Sequence, residues 1–583
     1  MSKDQSDDTN GNVRPPFPTD VEEMEEFTPE VNERKRDPPL VFRLEERPPW
    51  PTVFILSFQI FLAVFSGILS VPLILSSYIC VASDKVALSK IVGTNFFLSG
   101  LITFLQATFG SRLPVMQGST MSYLIPATVI MGFHGDCPPA LTANSTTEDY
   151  EIITNEWQSR IGELQGAIAL ASMTQLFIGF SGVCGMLTRF IGPITVAATI
   201  SLIGISLFPV AGSMCATHWP IAGLTVFQII LYSQILERFA IPLPGGRRFS
   251  LFRFFPVLLA MLTSWGLCGI LTATNVLPGD ESGYGYQART DIYPDTIPNA
   301  PWFRVPYPGQ WGPLTVTAAG FLGMMAGAMT SIVESIGDYY ACARICRVPP
   351  PPVHAVNRGI GIEGLGCILA GLIGSGNGST TYGESIAIIG LTRISSRIVV
   401  QGAGAILLVV GVFGKINAVF TTLPQPIVGG VILSTFSVVA SVGLSNLQFV
   451  NMNSSRNLVV FGFSLFAGLT IPKYVNSAPD IINTGSVILN QLLTITMGTS
   501  MFIGGLTACF LDNVIRGTRE ERGMDKWKMM PDEDKKADGT TGLSCYDLPF
   551  GMSYIRKWTW TRYLPFSPTF QGFKLCRRGR ERL

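Results

Sequence analysis

Charge is what this sequence has least of. Only 14% of its 583 residues are Asp, Glu, Lys or Arg, against about 25% in an ordinary soluble protein. A chain of this size with so few charges cannot cover itself with a water-facing surface, which points to a membrane protein. The few charges nearly cancel to a formal +1, so no global field favours nucleic acid. Three histidines leave little for a His-rich metal site. The eleven cysteines include no CxxC or zinc spacing; Cys342 and Cys346 stand i,i+4 with no second ligand pair nearby. No P-loop or zincin signature and no readable triad is present, so enzyme activity has no support. Also missing is a signal peptide. Residues 1–47 are polar, with acidic and basic clusters (Glu22, Glu23, Glu25, Glu26; Arg34, Lys35, Arg36) and no apolar run before Pro51. They read as a disordered cytosolic tail.

What is abundant is apolar sequence: 47% hydrophobic residues and a mean hydropathy of +0.37. A helix needs about 20 apolar residues to cross a bilayer. Runs of that kind begin near Thr52, Val86, Ala167, Ile191, Trp219, Leu251, Leu314, Gly359, Val399, Ile427, Asn457 and Ile488. Two more, at about 113–132 and 379–393, are interrupted near their starts by Gly, Ser and Thr. The expectation is an all-α polytopic membrane protein of about fourteen transmembrane segments. A cytosolic N-terminal tail occupies 1–50, the membrane domain 51–515 and a cytosolic C-terminal tail 516–583. An extracellular loop over 273–311 divides the membrane domain into 51–272 and 312–515.

Loop charge orients it. Arg247, Arg248, Arg253, Arg344, Arg347, Arg393, Arg397, Arg456 and the terminal Arg577–Arg582 cluster all fall on one side of a fourteen-segment chain, which the positive-inside rule makes cytosolic. The loop expected over 133–165 then lies outside. It carries Glu148, Asp149, Glu151, Glu156 and Glu163 and the sequon Asn144-Ser-Thr, an N-glycan acceptor on that side. Cys137 falls in the same loop, where oxidation is possible.

The sequence also repeats itself. Gln117-Gly-Ser-Thr-Met-Ser-Tyr123 opens the third segment and Gly376-Asn-Gly-Ser-Thr-Thr-Tyr382 the tenth, and their Gly-Ser-Thr triplets lie 260 positions apart. Segments one and eight start about the same distance apart. A constant offset is the trace of duplication. Seven segments per copy is odd, so the copies are inverted, as in many secondary transporters. Both triplets interrupt a segment, which predicts short antiparallel strands followed by half-helices, with free backbone polar groups at mid-membrane.

Three carboxylates fall in the same region. Glu334 and Asp338 share one face of segment eight, and Glu384 follows the second triplet. A charge at this depth costs about 2.5–3.5 kcal/mol on insertion scales, so each needs a partner: substrate N–H groups, a cation or a proton.

The motifs Glu334-Ser-Ile-Gly-Asp-Tyr-Tyr-Ala-Cys-Ala-Arg344, Pro349-Pro-Pro-Pro-Val-His-Ala-Val-Asn-Arg-Gly359 and Gly443-Leu-Ser-Asn-Leu-Gln-Phe-Val-Asn-Met-Asn-Ser-Ser-Arg-Asn457 closely resemble solute carrier family 23, the animal branch of the nucleobase–ascorbate transporters. The resemblance implies two inverted seven-segment repeats. Segments 1–4 and 8–11 form a core domain, and 5–7 and 12–14 a gate domain. An elevator-like movement carries one against the other, and homodimers form through the gate. It also implies a signature at Glu384, Gly390, Thr392 and Arg393, with Ser385 where Asn is usual, Ala387 where Gly is usual, and Ile60 where His usually follows the glutamine.

Thr380-Thr-Tyr-Gly-Glu-Ser385 looks like the Thr-Thr-Tyr-Gly-Glu-Asn of bacterial uracil permease rather than the Ser-Ser-Ser-Pro-Asn of ascorbate carriers. The expected substrate is therefore a nucleobase, bound by Glu334, Glu384, Ser385, Ser119, Tyr123 and Gly383, with ascorbate as the alternative. Ionised carboxylates accept ring N–H groups, half-helix N–H groups meet carbonyls, and Tyr123 stacks on the base. Asp338 suits a hard cation, so Na⁺ is the expected coupling ion, with H⁺ as the alternative, and no other cofactor is implied. Other classes are a channel or anion exchanger on the same fold, which electrical recording distinguishes, and a non-transporting scaffold, which binds without flux.

Overall fold

The computed structural model describes residues 40–139, 147–239, 241–242, 248–249, 251–280, 283–478, 481–528 and 542–570. Asn144, most of the N-terminal tail and the terminal arginine cluster lie outside them.

Apolar runs become helices where a capping residue or a proline marks the start. The first is α1, Trp50–Tyr78, with Pro51 in its first turn. In α2, Lys85–Thr108, the Asp84 carboxylate accepts from Ala87 N at 2.9 Å. Then come β1, Gln117–Ser119, and α3, Met121–Gly132, whose N-cap hydroxyl Thr120 accepts from Ser122 N. The chain continues through α4, Thr147–Ser181, α5, Pro193–Ile205, α6, Trp219–Ile230, and α7, Pro256–Ala273. After a long loop, Thr317 caps α8, Ala318–Ile345, by accepting from Gly320 N at 3.0 Å. The rest is α9, Val353–Ile373, β2, Ser379–Thr381, α10, Gly383–Thr392, α11, Arg397–Val412, α12, Gln425–Ser445, α13, Ser455–Ser477, α14, Val487–Gly498, and α15, Ser500–Val514.

Two sets of helices pack internally. In one, α4 lies along α9, α2 along α11, and α8 against α3 and α4; in the other, α5 and α6 pack on α12, and α13 on α15. Small residues allow the first set to approach closely. A Cβ on Gly100 of α2 would meet Gly404 O of α11 at 2.5 Å, and one on Gly364 of α9 would meet Leu176 N of α4 at 2.5 Å. Lipid offers apolar surfaces no hydrophobic incentive to leave it, so such close backbone contacts carry helix association in membranes.

Nine helices among the described residues are long and apolar enough to cross a bilayer, ten if α14 and α15, bent by 78°, count as one span. Trp219–Ile235, α3 and α11 are shorter apolar helices. The sequence expectation is about fourteen segments, two of them interrupted near their starts. α3 and α10 are half-length because a strand occupies the start of each segment. Thr499, in extended conformation, divides α14 from α15.

A second difference concerns residues 147–165, expected as loop. They are the first turns of α4. Ile153, Trp157, Ile161 and Leu164 are buried at helical spacing, giving a stripe strong enough to hold a helix despite the acidic residues between them. The charges are used locally. Arg160 pairs with Glu156 at 2.7 Å, and Glu163 accepts from Thr317 Oγ1 beside His134. Cys137 is joined to Cys80 in a disulfide that ties the α1–α2 connection to the segment after α3.

Candidate functional site

The two triplets meet. Gln117–Ser119 and Ser379–Thr381 pair antiparallel, with Gly118 opposite Thr380. Each strand feeds a helix, α3 from Thr120 and α10 from Tyr382, so two N-termini open from the same crossing. α10 starts with no side-chain cap, and its first N–H groups carry the partial positive charge of a helix start.

Beside this crossing lies a cavity with about 570 Å³ of empty space, any open mouth included. One wall is polar: Ser119, Thr120, Glu334, Asp338, Thr380, Tyr382, Gly383 and Glu384. The facing wall is apolar: Ile200 and Ile203 of α5, and Phe436, Val439 and Val442 of α12. The polar wall comes from the strand pair, α8 and α10, and the apolar wall from α5 and α12.

The three carboxylates expected from the sequence all line it. Glu334 accepts from Ser122 Oγ at 2.8 Å. Glu384 sits in the first turn of α10, where a negative charge is favoured. Gly67 of α1 makes room for it, since a Cβ there would stand 2.9 Å from Glu384 Oε2. Asp338, only 4% exposed, reaches the cavity rather than the helix end, with its carboxylate next to Gly383. Neither Glu384 nor Asp338 has a hydrogen bond or ion pair to another described residue.

Ser119 and Gly383 line the cavity; Tyr123 and Ser385 do not. Tyr123 is fully buried behind β2, its ring against Gly378 and its hydroxyl beside Ser172 and Gln175. The aromatic ring at the cavity is Tyr382, whose hydroxyl donates to Ser119 O at 2.7 Å. Ser385 turns inward, donating to Tyr382 O at 2.7 Å and accepting from Met116 N at 3.2 Å. The serine hydroxyl is consumed in fixing the first turn of α10. Gly390, Thr392 and Arg393 stand at the far end of α10. Thr392 Oγ1 donates to Ile388 O, and Arg393 ends the helix in a left-handed conformation. Ile60 is buried among apolar residues of α1, away from the cavity wall. The Ala387 side chain lies outside the described residues.

One residue escaped the sequence reading. Glu363 of α9 is fully buried and accepts four hydrogen bonds. These come from Gln117 Nε2 at 3.1 Å, Thr381 Oγ1 at 2.6 Å, Ser335 Oγ at 2.7 Å and Tyr339 Oη at 2.8 Å. It thereby joins both strands to α8, the helix that carries Glu334 and Asp338. The signal was available: Glu363 is a lone carboxylate amid Gly359-Ile-Gly-Ile-Glu-Gly-Leu-Gly366, and the reasoning that selected Glu334 applies equally. Among the described residues no cluster of His, Cys, Asp and Glu fits a metal ion.

A family model described as a permease family matches residues 51–477. Solute carrier family 23 member 1 of Rattus norvegicus is 45% identical over 543 residues, 92% of this chain and 90% of that protein. Solute carrier family 23 member 2 of Homo sapiens is 44% identical over 547 residues, 92% of this chain and 83% of that protein. The chain belongs to the nucleobase–ascorbate transporter family, solute carrier family 23. It is a multi-pass membrane transporter. Nucleobase-ascorbate transporter 1 of Arabidopsis thaliana is 32% identical, over 84% of this chain and 92% of that protein. Among solved structures, the transmembrane domain of a cyanobacterium bicarbonate transporter BicA aligns at a TM-score of 0.42 with 13% identity, covering 78% of this chain and 99% of that one.

Proposed function

We propose that this transporter carries a nucleobase, uracil or a purine such as xanthine or hypoxanthine, in symport with Na⁺. The observation that carries the reading is the pair of unpartnered carboxylates, Glu384 and Asp338, on the polar wall of one cavity. A nucleobase presents N–H donors beside carbonyl acceptors. Glu334 and Glu384 accept the donors, the N–H groups at the start of α10 meet a carbonyl, and the Tyr382 ring offers a face to stack on. Ser119 and Gly383 shape the floor. Asp338 is then left for the cation, whose entry releases about 2.3 kcal/mol per elementary charge per 100 mV of membrane potential.

The elevator reading is supported by the unlike walls of the cavity. The polar wall belongs to helices expected as the core (1–4 and 8–11) and the apolar wall to helices expected as the gate (5–7 and 12–14). A ligand fixed to the polar wall slides past an apolar one without breaking hydrogen bonds. In this reading the fourteen segments form two inverted repeats and the protein sits in the plasma membrane as a homodimer. Both termini are cytosolic, and Asn144 is the glycan site. The disulfide at Cys80 and Cys137 fits an oxidising exterior on the opposite side.

The test is tracer uptake of uracil, hypoxanthine, xanthine and ascorbate in cells expressing the chain, in sodium and with choline in its place. Sodium-dependent nucleobase uptake is expected. Uptake of ascorbate alone would overturn the assignment of substrate to the carboxylates.

A further inference from the structure

Three arginines converge where α2 stops and α9 and α11 begin, at the end that loop charge assigns to the cytosol. Arg112 follows α2, Arg358 lies in the second turn of α9, and Arg397 is the first residue of α11. Arg358 is 4% exposed and Arg112 8%. Part of their hydrogen-bonding capacity holds the chain in place. Arg358 donates to Gly110 O and Tyr546 O, both at 2.7 Å. Arg397 donates to Arg112 O at 2.8 Å and Cys545 O at 3.0 Å. Every one of these acceptors is a neutral backbone carbonyl.

The rest is unmet. Arg358 Nη1 and Arg112 Nε are buried without a partner. No carboxylate among the described residues comes within ion-pair distance of any of the three. Glu45 and Asp547 act on the cluster only from a distance, two negative charges against three positive, and the guanidiniums repel one another. Burial pulls the Arg112 guanidinium below its ordinary pKa. α11, sixteen residues long, also begins here without a side-chain cap; Arg397 N donates to Leu44 O at 3.1 Å, and the helix start adds partial positive charge. Buried charges are normally paired. Two guanidiniums with free N–H groups, Arg112 and Arg358, beside a third and a helix start are an arrangement that binds a tetrahedral oxyanion.

We propose that Arg112, Arg358 and Arg397 form a binding site for a phosphate monoester, either free in the cytosol or borne on a lipid headgroup. The site is separate from the transport cavity, which none of the three lines. Residues 545–547 run over it, so an occupied site fastens the segment 542–570 to α9 and α11. That segment is also held by Asn357 Nδ2 donating to Pro565 O at 3.0 Å, by Tyr546 Oη donating to Pro349 O, and by Phe180 against Phe566 and Phe109 against Phe550.

The experiment measures thermal stability of the full-length protein in phosphatidylcholine nanodiscs. Inorganic phosphate is titrated against chloride at equal ionic strength, and a parallel set of discs contains a few per cent phosphatidylinositol bisphosphate. A saturable rise of several degrees is expected in at least one arm. A rise with free phosphate identifies a soluble ligand, and a rise confined to the lipid discs identifies a headgroup. Arg112→Gln is expected to weaken the apparent affinity about tenfold, the effect of losing one charge-assisted contact, whereas Lys557→Gln, an exposed change nearby in sequence, leaves it unchanged. Absence of a rise in both arms with the wild-type protein overturns the proposal even if Arg112→Gln fails to fold. So does an equal response in Arg112→Gln and wild type.

Discussion

The ring of Tyr382 packs over Gly118, so closely that a Cβ on Gly118 would meet Tyr382 Cε2 at 1.8 Å. The contact is reciprocated across the strand pair, where Tyr123 packs over Gly378 and a Cβ would meet its Cδ2 at 2.5 Å. The two tyrosines are not at equivalent positions of the 260-residue offset, yet each covers the glycine of the opposite triplet. Only Tyr382 reaches the cavity, and its hydroxyl is held by Ser119 O. Gly118→Ala therefore displaces the ring and breaks that bond together. Uptake is expected to fall below a tenth of wild type with surface expression retained. Tyr382→Phe removes one hydrogen bond worth about 0.5–1.5 kcal/mol and is expected to cost only a few-fold in KM. Equal uptake by Gly118→Ala and wild type would show that the ring is free to move.

Glu363 organises the crossing from behind. Glutamine has its shape but offers one acceptor oxygen and an NH₂ that must face donors. Three of the four donors meet Oε1 and Ser335 Oγ alone meets Oε2, so an amide NH₂ at Oε2 reverses the Ser335 hydrogen bond, and one at Oε1 faces the Gln117 donor, at a cost of about 1–3 kcal/mol. Glu363→Gln is expected to lower the unfolding temperature in detergent and to abolish uptake of every substrate alike. Ser335→Ala removes a single donor and is expected to be much milder. A Glu363→Gln protein that keeps stability but changes its choice of substrate would place Glu363 in contact with the ligand instead.

Much of this was legible from residue order. The two Gly-Ser-Thr triplets, 260 positions apart, singled out the two stretches that form β1 and β2. Glu334, Asp338 and Glu384 stood out because an acidic residue in an apolar run has few bland explanations. What failed to show was direction. Tyr123 and Tyr382 follow their triplets with nearly equal spacing, and only the pleat and the close approach at Gly118 decide which ring faces the cavity. The apolar wall was equally hidden, since Ile200 and Phe436 look like any other membrane-helix residues. The start of α4 was missed because hydropathy averages over its acidic residues, while burial follows the spacing of Ile153, Trp157, Ile161 and Leu164.

Asp338 and Glu384 line the same cavity, but the proposed roles separate them experimentally. Asp338→Asn keeps size and one acceptor oxygen while removing the charge that a hard cation requires. Its uptake is expected to need at least tenfold more sodium for half-saturation, with the substrate's rank order unchanged. Glu384→Gln is expected to do the reverse, raising substrate KM while leaving the sodium dependence near wild type. Each profile is read from uptake against sodium at fixed substrate and against substrate at fixed sodium. Full sodium dependence retained in Asp338→Asn would remove this residue from the cation site.

The disulfide between Cys80 and Cys137 closes a separation of 57 residues, which a chain-entropy estimate values at about 4 kcal/mol. Much less is expected on reduction, for two reasons. The membrane keeps α1, α2 and α3 assembled as helices in the reduced chain, so little loop entropy is released. In addition, buried Arg160 already bridges the same two segments, donating to Tyr78 O at 3.1 Å on one side and to Gly135 O at 3.2 Å on the other. Cys80→Ser is accordingly expected to lower the unfolding temperature by only a few degrees and to leave uptake close to wild type. Arg160→Met, which also strands Glu156, is expected to lower it further. Because each tether covers for the other, the two changes together are expected to cost more than the sum of their separate effects, the non-additivity of shared contacts. The four proteins of this cycle are compared by thermal unfolding with and without reductant, and reductant is expected to act only where both cysteines remain. Strict additivity would mean that Arg160 and the disulfide hold independent parts of the molecule.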